Sequence, residues 1–483
     1  MTLATQECVN ALRHRFGEQA VLSDPNELTV YESDGFPIAK GSPLAVVFPT
    51  TTAEVVDCVN ILNKYDLQIV PRGSGTGLAG GCVVFGQGVL VSTSRMTKVL
   101  EVDVDNRVAV VQAGVRNLSL SDAISHTGLH FSPDPSSQRA STIGGNASTN
   151  AGGINTLKHG VTTNHILALE LVLPTGEVIQ TRASNLSDSV GADLTALVCG
   201  HEGSFGIVTR IWCRLVPKPK HMRTVYTIFS STADACRTVA DVIASGITPT
   251  SMEMMDGAMI KVVEDAFHFG FDTTAQAMLL LEIDGVDEIL DHELAVILDL
   301  CKKNGAKDVE QCADPKRRAE LWSARKRAFG AIGRISHSYC TQDACVPRSM
   351  LPEVMETVAG IGKQFNLQIA NVFHAGDGNI HPILLFDEEN PDDVQRVMQA
   401  SEAILEYCIS IGGTITGEHG VGVEKLHLML KMFNPATNAT FLKLKKTFDP
   451  DQRINDAKLI PSDRTFVELI KHPVAANIPG GAM

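Results

Sequence analysis

The stretch PRGSGTGLAGG, residues 71–81, directly follows a short apolar run, Leu67–Val70. Glycines and small hydroxyl residues leave the backbone bare here. Amide N–H groups can then approach an anion with no Cβ in the way. A pyrophosphate is the natural guest. Gly75, Gly77 and Gly80 also spell G-x-G-x-x-G. That fingerprint of nicotinamide dinucleotide binding needs a helix directly after the glycines and an acid about 20 residues further on. The chain instead continues as GCVVFGQGVLVS, strand-like and broken by more glycine, and the acid's place falls near Ser94 and Arg95. This excludes the nicotinamide reading and leaves a different phosphate guest or a tight structural loop.

Two further small-residue stretches lie outward from the first: SPDPSSQRASTIGGNASTNAGG at 132–153 and GHEGSFGIVT at 200–209. The stretch from Pro43 to about Leu215 also holds AVVFP, LQIVPRG, GVLVSTS, RVAVVQAG and LALELVLP, whose length and β-branching favour strands. TTAEVVDCVNILNKY reads as a helix from Thr52 to Tyr65, capped by Thr51 or Thr52, with Val55, Val56, Val59 and Leu62 on one face. Three small-residue loops bounded by strands imply a ligand longer than a phosphate. We therefore expect an α+β chain: a helix and connector at 1–42, a ligand-binding domain at 43–218 and a Pro/Lys-rich hinge, VPKPKHM, at 216–222. A second α+β domain occupies 219–447, and the segment 448–483 docks back on the first domain.

Composition narrows the partners. The 483 residues carry a formal charge of −14, which argues against nucleic acid or an anionic membrane, and 2 Trp with 5 Tyr form no stacking platform for single strands. The 11 cysteines are irregularly spaced, none in C-x-x-C, which fits a reducing compartment and excludes an iron–sulfur cluster held by clustered thiolates of this chain. No run approaches the ~20 apolar residues of a membrane span. The first residues are polar and amphipathic, unlike a secretory signal. The expectation is a cytoplasmic protein.

Two histidine motifs lie in the second half. In FHAGDGNIHPILLF, 373–386, a Gly-Asp-Gly-Asn turn lies between His374 and His381, so the two can face one another. In TGEHGVG, 416–422, Glu418 and His419 are adjacent between glycines, as on an exposed turn or strand end. Imidazoles with a carboxylate suit a divalent metal such as zinc, manganese or iron, whereas each histidine taken singly is as well explained as an ordinary core or surface residue. ELWSARKRAFGAI, 320–332, reads as a helix with a basic face, for which simple solvation is the alternative.

PRGSGTGLAGG, IGGNASTNAGG and GHEGSFGIVT resemble the PCMH-type FAD-binding domain of the vanillyl-alcohol oxidase superfamily, and the likeness extends over the rest of the chain. The resemblance implies that the first loop holds the pyrophosphate and the other two wrap the flavin and ribityl chain. The cofactor-binding residues it implies are Arg72, Gly73, Ser74, Gly75, Thr76, Gly77, Leu78, Pro133, Ser141, Gly144, Gly145, Asn146, Gly152, Glu202, Gly203, Ile207 and Asn455. The first loop has no histidine, which implies non-covalent FAD. HAGDGNIH and GEHGVG are similar to the D-2-hydroxyacid dehydrogenase group, which includes glycolate dehydrogenase flavoprotein subunits, D-lactate dehydrogenases and D-2-hydroxyglutarate dehydrogenase. That likeness implies a metal on His374, His381 and Glu418, a base at His419, and a carboxylate grip at Arg325, the first arginine after the Leu-Trp pair.

Two departures from the group stand out. Phe329, Ile383 and Thr341 occupy places where the hydroxyglutarate enzyme binds a distal carboxylate, so a short monocarboxylate is favoured here. INDAK, 454–458, replaces the usual Asn-Pro-Gly-Lys while keeping Asn455. The expected activity is FAD-dependent oxidation of glycolate or D-lactate, with electrons passed to a separate iron–sulfur subunit and membrane association only through partners. The alternatives are a hydroxyglutarate-type dehydrogenase and a non-catalytic flavin subunit, a class that shares the FAD domain but lacks the histidine motifs.

Overall fold

The computed structural model describes residues 2–182 and 191–462. Two units arise from interleaved segments. Among the described residues, the first takes those up to Gly152, those within Val161–Lys218 and those from Glu418 onward. The second takes Gly153–Gly160 and Pro219–Gly417.

The first unit holds a four-stranded sheet, in the order Val21–Leu22, Ala45–Val47, Gly88–Ser92, Gln68–Arg72. Its last three strands are parallel, which demands a crossover helix between 47 and 68. Thr52–Lys64 supplies it. Thr51 caps it by accepting from Glu54 N, which satisfies one donor of the first turn, and Glu54 in turn accepts from Thr50 N just before the cap. Val55, Cys58, Val59 and Leu62 are buried, while Val56 is half-buried at the margin of that face. They pack with Cys8, Leu12, Ile69 and Ile454 into one core. The unit's second sheet is antiparallel and five-stranded, in the order Val99–Asp103, Val108–Gln112, Ile207–Arg214, Ile166–Val172, Val178–Gln180.

The second unit is a seven-stranded antiparallel sheet: Ala306–Cys312, His221–Phe229, Ala277–Gly285, Ser251–Asp256, Gln368–Phe373, Pro382–Phe386, Ser338–Thr341. Helices Gly257–Phe267 and Pro315–Ile332 bury Met259, Val263, Leu321, Ala324 and Ala328 against it. Burial of each of the larger side chains among these contributes about 1.5–3 kcal/mol. Two further helices of this unit span Thr232–Ala244 and Asp287–Lys303.

Two boundaries differ from the sequence reading. Residues 153–160 group with the second unit, where Asn155 Oδ1 accepts from Ser251 and Lys158 pairs with Asp284. The chain rejoins the first unit at Glu418 rather than near 448, because backbone amides of 421–423 bond to groups of the first unit.

Candidate active site

In the first unit the three small-residue loops are tied together by backbone groups. Gly73 lies so close to Thr142 that an added Cβ would sit 2.5 Å from its hydroxyl. Gly75, at φ +73°, has the Arg72 guanidinium where a Cβ would go. Arg72 Nη1 donates to Ser33 O at 2.9 Å and approaches Cys82 Sγ at 3.1 Å, so this guanidinium braces the loop from within. Gly77 O accepts from Gly35 N. Ser74 is exposed; Thr76 and Leu78 are half-buried.

In the second loop Thr142 caps the short helix Ile143–Thr149 by accepting from Gly145 N. Gly144 packs on Ala113, where a Cβ would meet another at 2.6 Å. Asn146 donates to Asn117 Oδ1, and Asn117 donates to Pro133 O, a buried chain whose middle member sequence reasoning missed. Gly152 is buried. In the third loop Glu202, at φ +50°, donates its amide to Ser148 O; Gly203 follows at φ +78° and Ile207 enters the core. Asn455 Nδ2 donates to Gly81 O at 3.0 Å and Glu202 O at 2.6 Å, joining the first and third loops.

The buried hydroxyls of Ser132, Ser141 and Ser204 have no hydrogen-bond partner among the described residues. Buried polar atoms are rarely left so, and hydroxyls in loops of this kind fit a long polar ligand such as FAD. Lys458 is fully buried, donates to Asn455 Oδ1 at 2.6 Å, and burial lowers its pKa from 10.5 to about 8.

The second unit carries a different chemistry. His374 ends strand Gln368–Phe373, the turn Ala375–Asp377 comes next, and Asn379 bridges back to His374. This hairpin brings the His374 and His381 rings to 5.3 Å between centroids, edge to face. His374 Nδ1 lies 2.7 Å from Glu253 Oε1. His381 Nδ1 lies 3.3 Å from Gln342 O and 3.9 Å from Asp343 Oδ1. A ring that donates from Nδ1 to a carboxylate or carbonyl carries its lone pair on Nε2, the arrangement of a metal-ligating histidine.

Arg325 is turned inward from its helix and is 1% exposed, while Lys326 and Arg327 face solvent. Its Nε donates to Glu253 Oε2 at 2.6 Å and Nη2 forms an ion pair with the same oxygen at 2.6 Å, while neither Nη1 nor Nη2 makes a hydrogen bond among the described residues. Glu253 therefore touches both Arg325 and His374. Burial raises the Glu253 pKa, but Arg325 and His374 outweigh it and hold the carboxyl below its ordinary range. Glu253 escaped the sequence reading. Its signal was an acid set between methionines inside the strand Ser251–Asp256. Phe329 lies 6.5 Å, edge to face, from His381, and Ile383 is fully buried in the core.

Asp343, also overlooked, accepts from Thr416 Oγ1 at 2.6 Å and Gly417 N at 3.0 Å. It thus anchors the end of the second unit one residue before Glu418. Glu418 and His419 themselves belong to the first unit. Expected on an exposed turn, they are mostly buried, with side chains 12% and 11% exposed and Glu418 Oε1 3.9 Å from His419 Nε2.

Residues 43–182 match the family model of an FAD binding domain, and residues 218–459 match that of the C-terminal domain of FAD linked oxidases. The chain belongs to the FAD-linked oxidases: it is a two-domain α+β flavoprotein of the vanillyl-alcohol oxidase type with FAD as its cofactor. Among individual relatives, it is 41% identical to glycolate oxidase subunit GlcD of Escherichia coli over 94% of this chain and 90% of the other. It is 38% identical to the Bacillus subtilis GlcD over 90% and 92%. The mitochondrial D-lactate dehydrogenase [cytochrome] of Arabidopsis thaliana is 29% identical over 90% and 76%. The crystal structure of p-cresol methylhydroxylase shares the fold, with a TM-score of 0.80 at 18% identity over 94% of this chain and 96% of that one.

Proposed function

We propose that the chain oxidises a short 2-hydroxy acid, glycolate or D-lactate, to the 2-oxo acid. The observation that carries this reading is Arg325: a buried guanidinium paired with Glu253 and held by an Nε hydrogen bond, with Nη1 and Nη2 not hydrogen-bonded among the described residues and so available to a carboxylate. Two relatives are named for glycolate and D-lactate. The apolar Phe329 and Ile383 speak against a distal carboxylate, whose unpaired burial costs more than the roughly 2–7 kcal/mol of an unpaired neutral polar group.

Bound FAD supplies the acceptor for the hydride leaving Cα. The resemblance to the hydroxyacid dehydrogenases implies that His374, His381 and Glu418 would hold a divalent ion, which would supply a Lewis acid making the substrate hydroxyl more acidic. Nδ1 engagement of both histidines suits that ligand role, as does Asp343, which steadies the chain just before Glu418. Arg325 orients the carboxylate, and His419 takes the hydroxyl proton. The 11 cysteines are irregularly spaced and none stands in C-x-x-C, so we read the electrons as passing to a separate acceptor. We assign that role to an iron–sulfur partner subunit, in keeping with the subunit naming of the relatives. No helix among the described residues is long and apolar enough to cross a membrane. We read the enzyme as cytoplasmic, meeting a membrane only through partners.

The test is anaerobic mixing of FAD-loaded protein with glycolate, D-lactate or D-2-hydroxyglutarate, each with and without a chelator. Bleaching by a short acid, abolished by chelation and restored by metal, is expected. A flavin that stays oxidised with every acid would identify a non-catalytic flavin subunit instead. Fastest bleaching by the hydroxyglutarate would refute the short-acid pocket.

A further inference from the structure

We infer that Glu202 is a positioning residue: its carboxylate latches the segment that carries Glu418 and His419 onto the third small-residue loop. The inference rests on the role proposed for His419. Sequence reasoning placed Glu202 among the FAD contacts, yet its side chain points into the first unit's own backbone. Oε1 accepts from Val421 N and Oε2 from Gly422 N, both at 2.7 Å. Two consecutive amides converging on one anion form a nest, and the nest requires unusual backbone. Gly420 has φ +90° and Gly422 φ +51°. A Cβ at Gly420 would lie 2.6 Å from Glu202 Oε1, and one at Gly422 would lie 1.9 Å from Ala79 O. Both glycines are thus required by the latch and by the neighbouring backbone.

The latch is braced on every side. Glu202 N donates to Ser148 O, and Glu202 O accepts from Asn455 Nδ2. Val423 N donates to Ala79 O, and Leu459 N donates to Gly422 O. Lys425 Nζ lies 3.4 Å from Gly420 O and, with Lys458, offsets the buried negative charge. All three small-residue loops and the tail therefore converge on Glu202 and the segment it holds, and its carboxylate binds the backbone starting two residues after His419. A loop that only closed the chain would not need a buried, bidentate anion. The arrangement ties the geometry of the base to the loop that wraps the flavin.

The experiment uses full-length, FAD-loaded protein with Glu202→Ala and Glu202→Gln. Amide hydrogen exchange across 418–424 should quicken at least tenfold in Glu202→Ala and by less in Glu202→Gln, which keeps one acceptor oxygen. Exchange in the second unit's sheet should not change. The limiting rate of flavin reduction by glycolate or D-lactate should fall at least tenfold, with the substrate dissociation constant changed less than twofold. Unchanged exchange at 418–424 overturns the latch whatever the activity. Loss of FAD with a normal reduction rate after refilling also overturns it, since Glu202 would then be a cofactor contact. Should Glu202→Ala fail to fold, the isosteric Glu202→Gln carries the same two readouts. The proposed base is tested apart, with Glu202 intact: a His419→Asn variant that still reduces its flavin rapidly would sink the function proposed above but leave the exchange result standing.

Discussion

Glu253 has the densest set of consequences for a single side chain. It compensates a fully buried Arg325 and orients His374, so its removal leaves a buried cation unpaired, a loss of about 3–5 kcal/mol. Glu253→Ala should therefore lower the midpoint of thermal unfolding by many degrees. The double variant Glu253→Ala/Arg325→Met should recover most of that loss, because no lone charge remains. If the two substitutions simply add, the pair is not coupled. Arg325→Lys is milder in size but not in chemistry, since an ammonium cannot reproduce the planar fork. We expect kcat/KM to fall about 10²-fold, on the order of 3 kcal/mol, carried mainly by a higher KM. An unchanged KM would remove Arg325 from substrate binding.

At the scale of the element, the tail segment 454–458 shows what a local sequence departure costs. Asn455, Ala457 and Leu459 take φ values of +44°, +64° and +61°. Ala457 occupies the place where the resembled group has glycine. A left-handed conformation at a residue with a Cβ costs roughly 1–2 kcal/mol, partly regained through the smaller entropy of the unfolded chain. The turn survives because Asn455 and Lys458 are held by buried hydrogen bonds. Ala457→Gly should therefore be neutral to stabilising, by up to about 1 kcal/mol in urea midpoints, whereas most glycine substitutions destabilise. A clear loss of stability would show that the positive φ is not strained.

Across the whole molecule, the charges buried in the first unit set a pH response. Burial raises the Glu202 carboxyl from 4.5 to about 7, against the pull of the Val421 and Gly422 amides. Its contribution to stability is complete below 4.5 and fades as pH rises through 7. Burial lowers Lys458 from 10.5 to about 8, so its contribution grows as pH climbs from 8 towards 10.5. Both groups are charged, and both costs are felt, between pH 7 and 8. Unfolding of FAD-free protein across this range should show a dip there. Glu202→Gln/Lys458→Met should flatten it by a few kcal/mol, on the order of 1.4 for each tenfold change in proton affinity that burial imposes. A flat profile in the parent protein would contradict the burial cost assigned to both groups.

The sequence alone determined the things that repeat locally or are spelled in glycine. Strand runs, the capped helix at 52–64, the three bare-backbone loops and the facing of His374 and His381 across a Gly-Asp-Gly-Asn turn all depend on neighbours within a few residues. Tertiary structure alone decided which atoms share a charge. Glu253 meets Arg325 and His374 from 72 and 121 residues away, and Glu202 reaches Val421 from 219. A carboxylate in a strand reads the same whether it faces water or a guanidinium. Only the fold supplies its partners, and burial then makes those partners count, because a desolvated charge without one is too costly to keep.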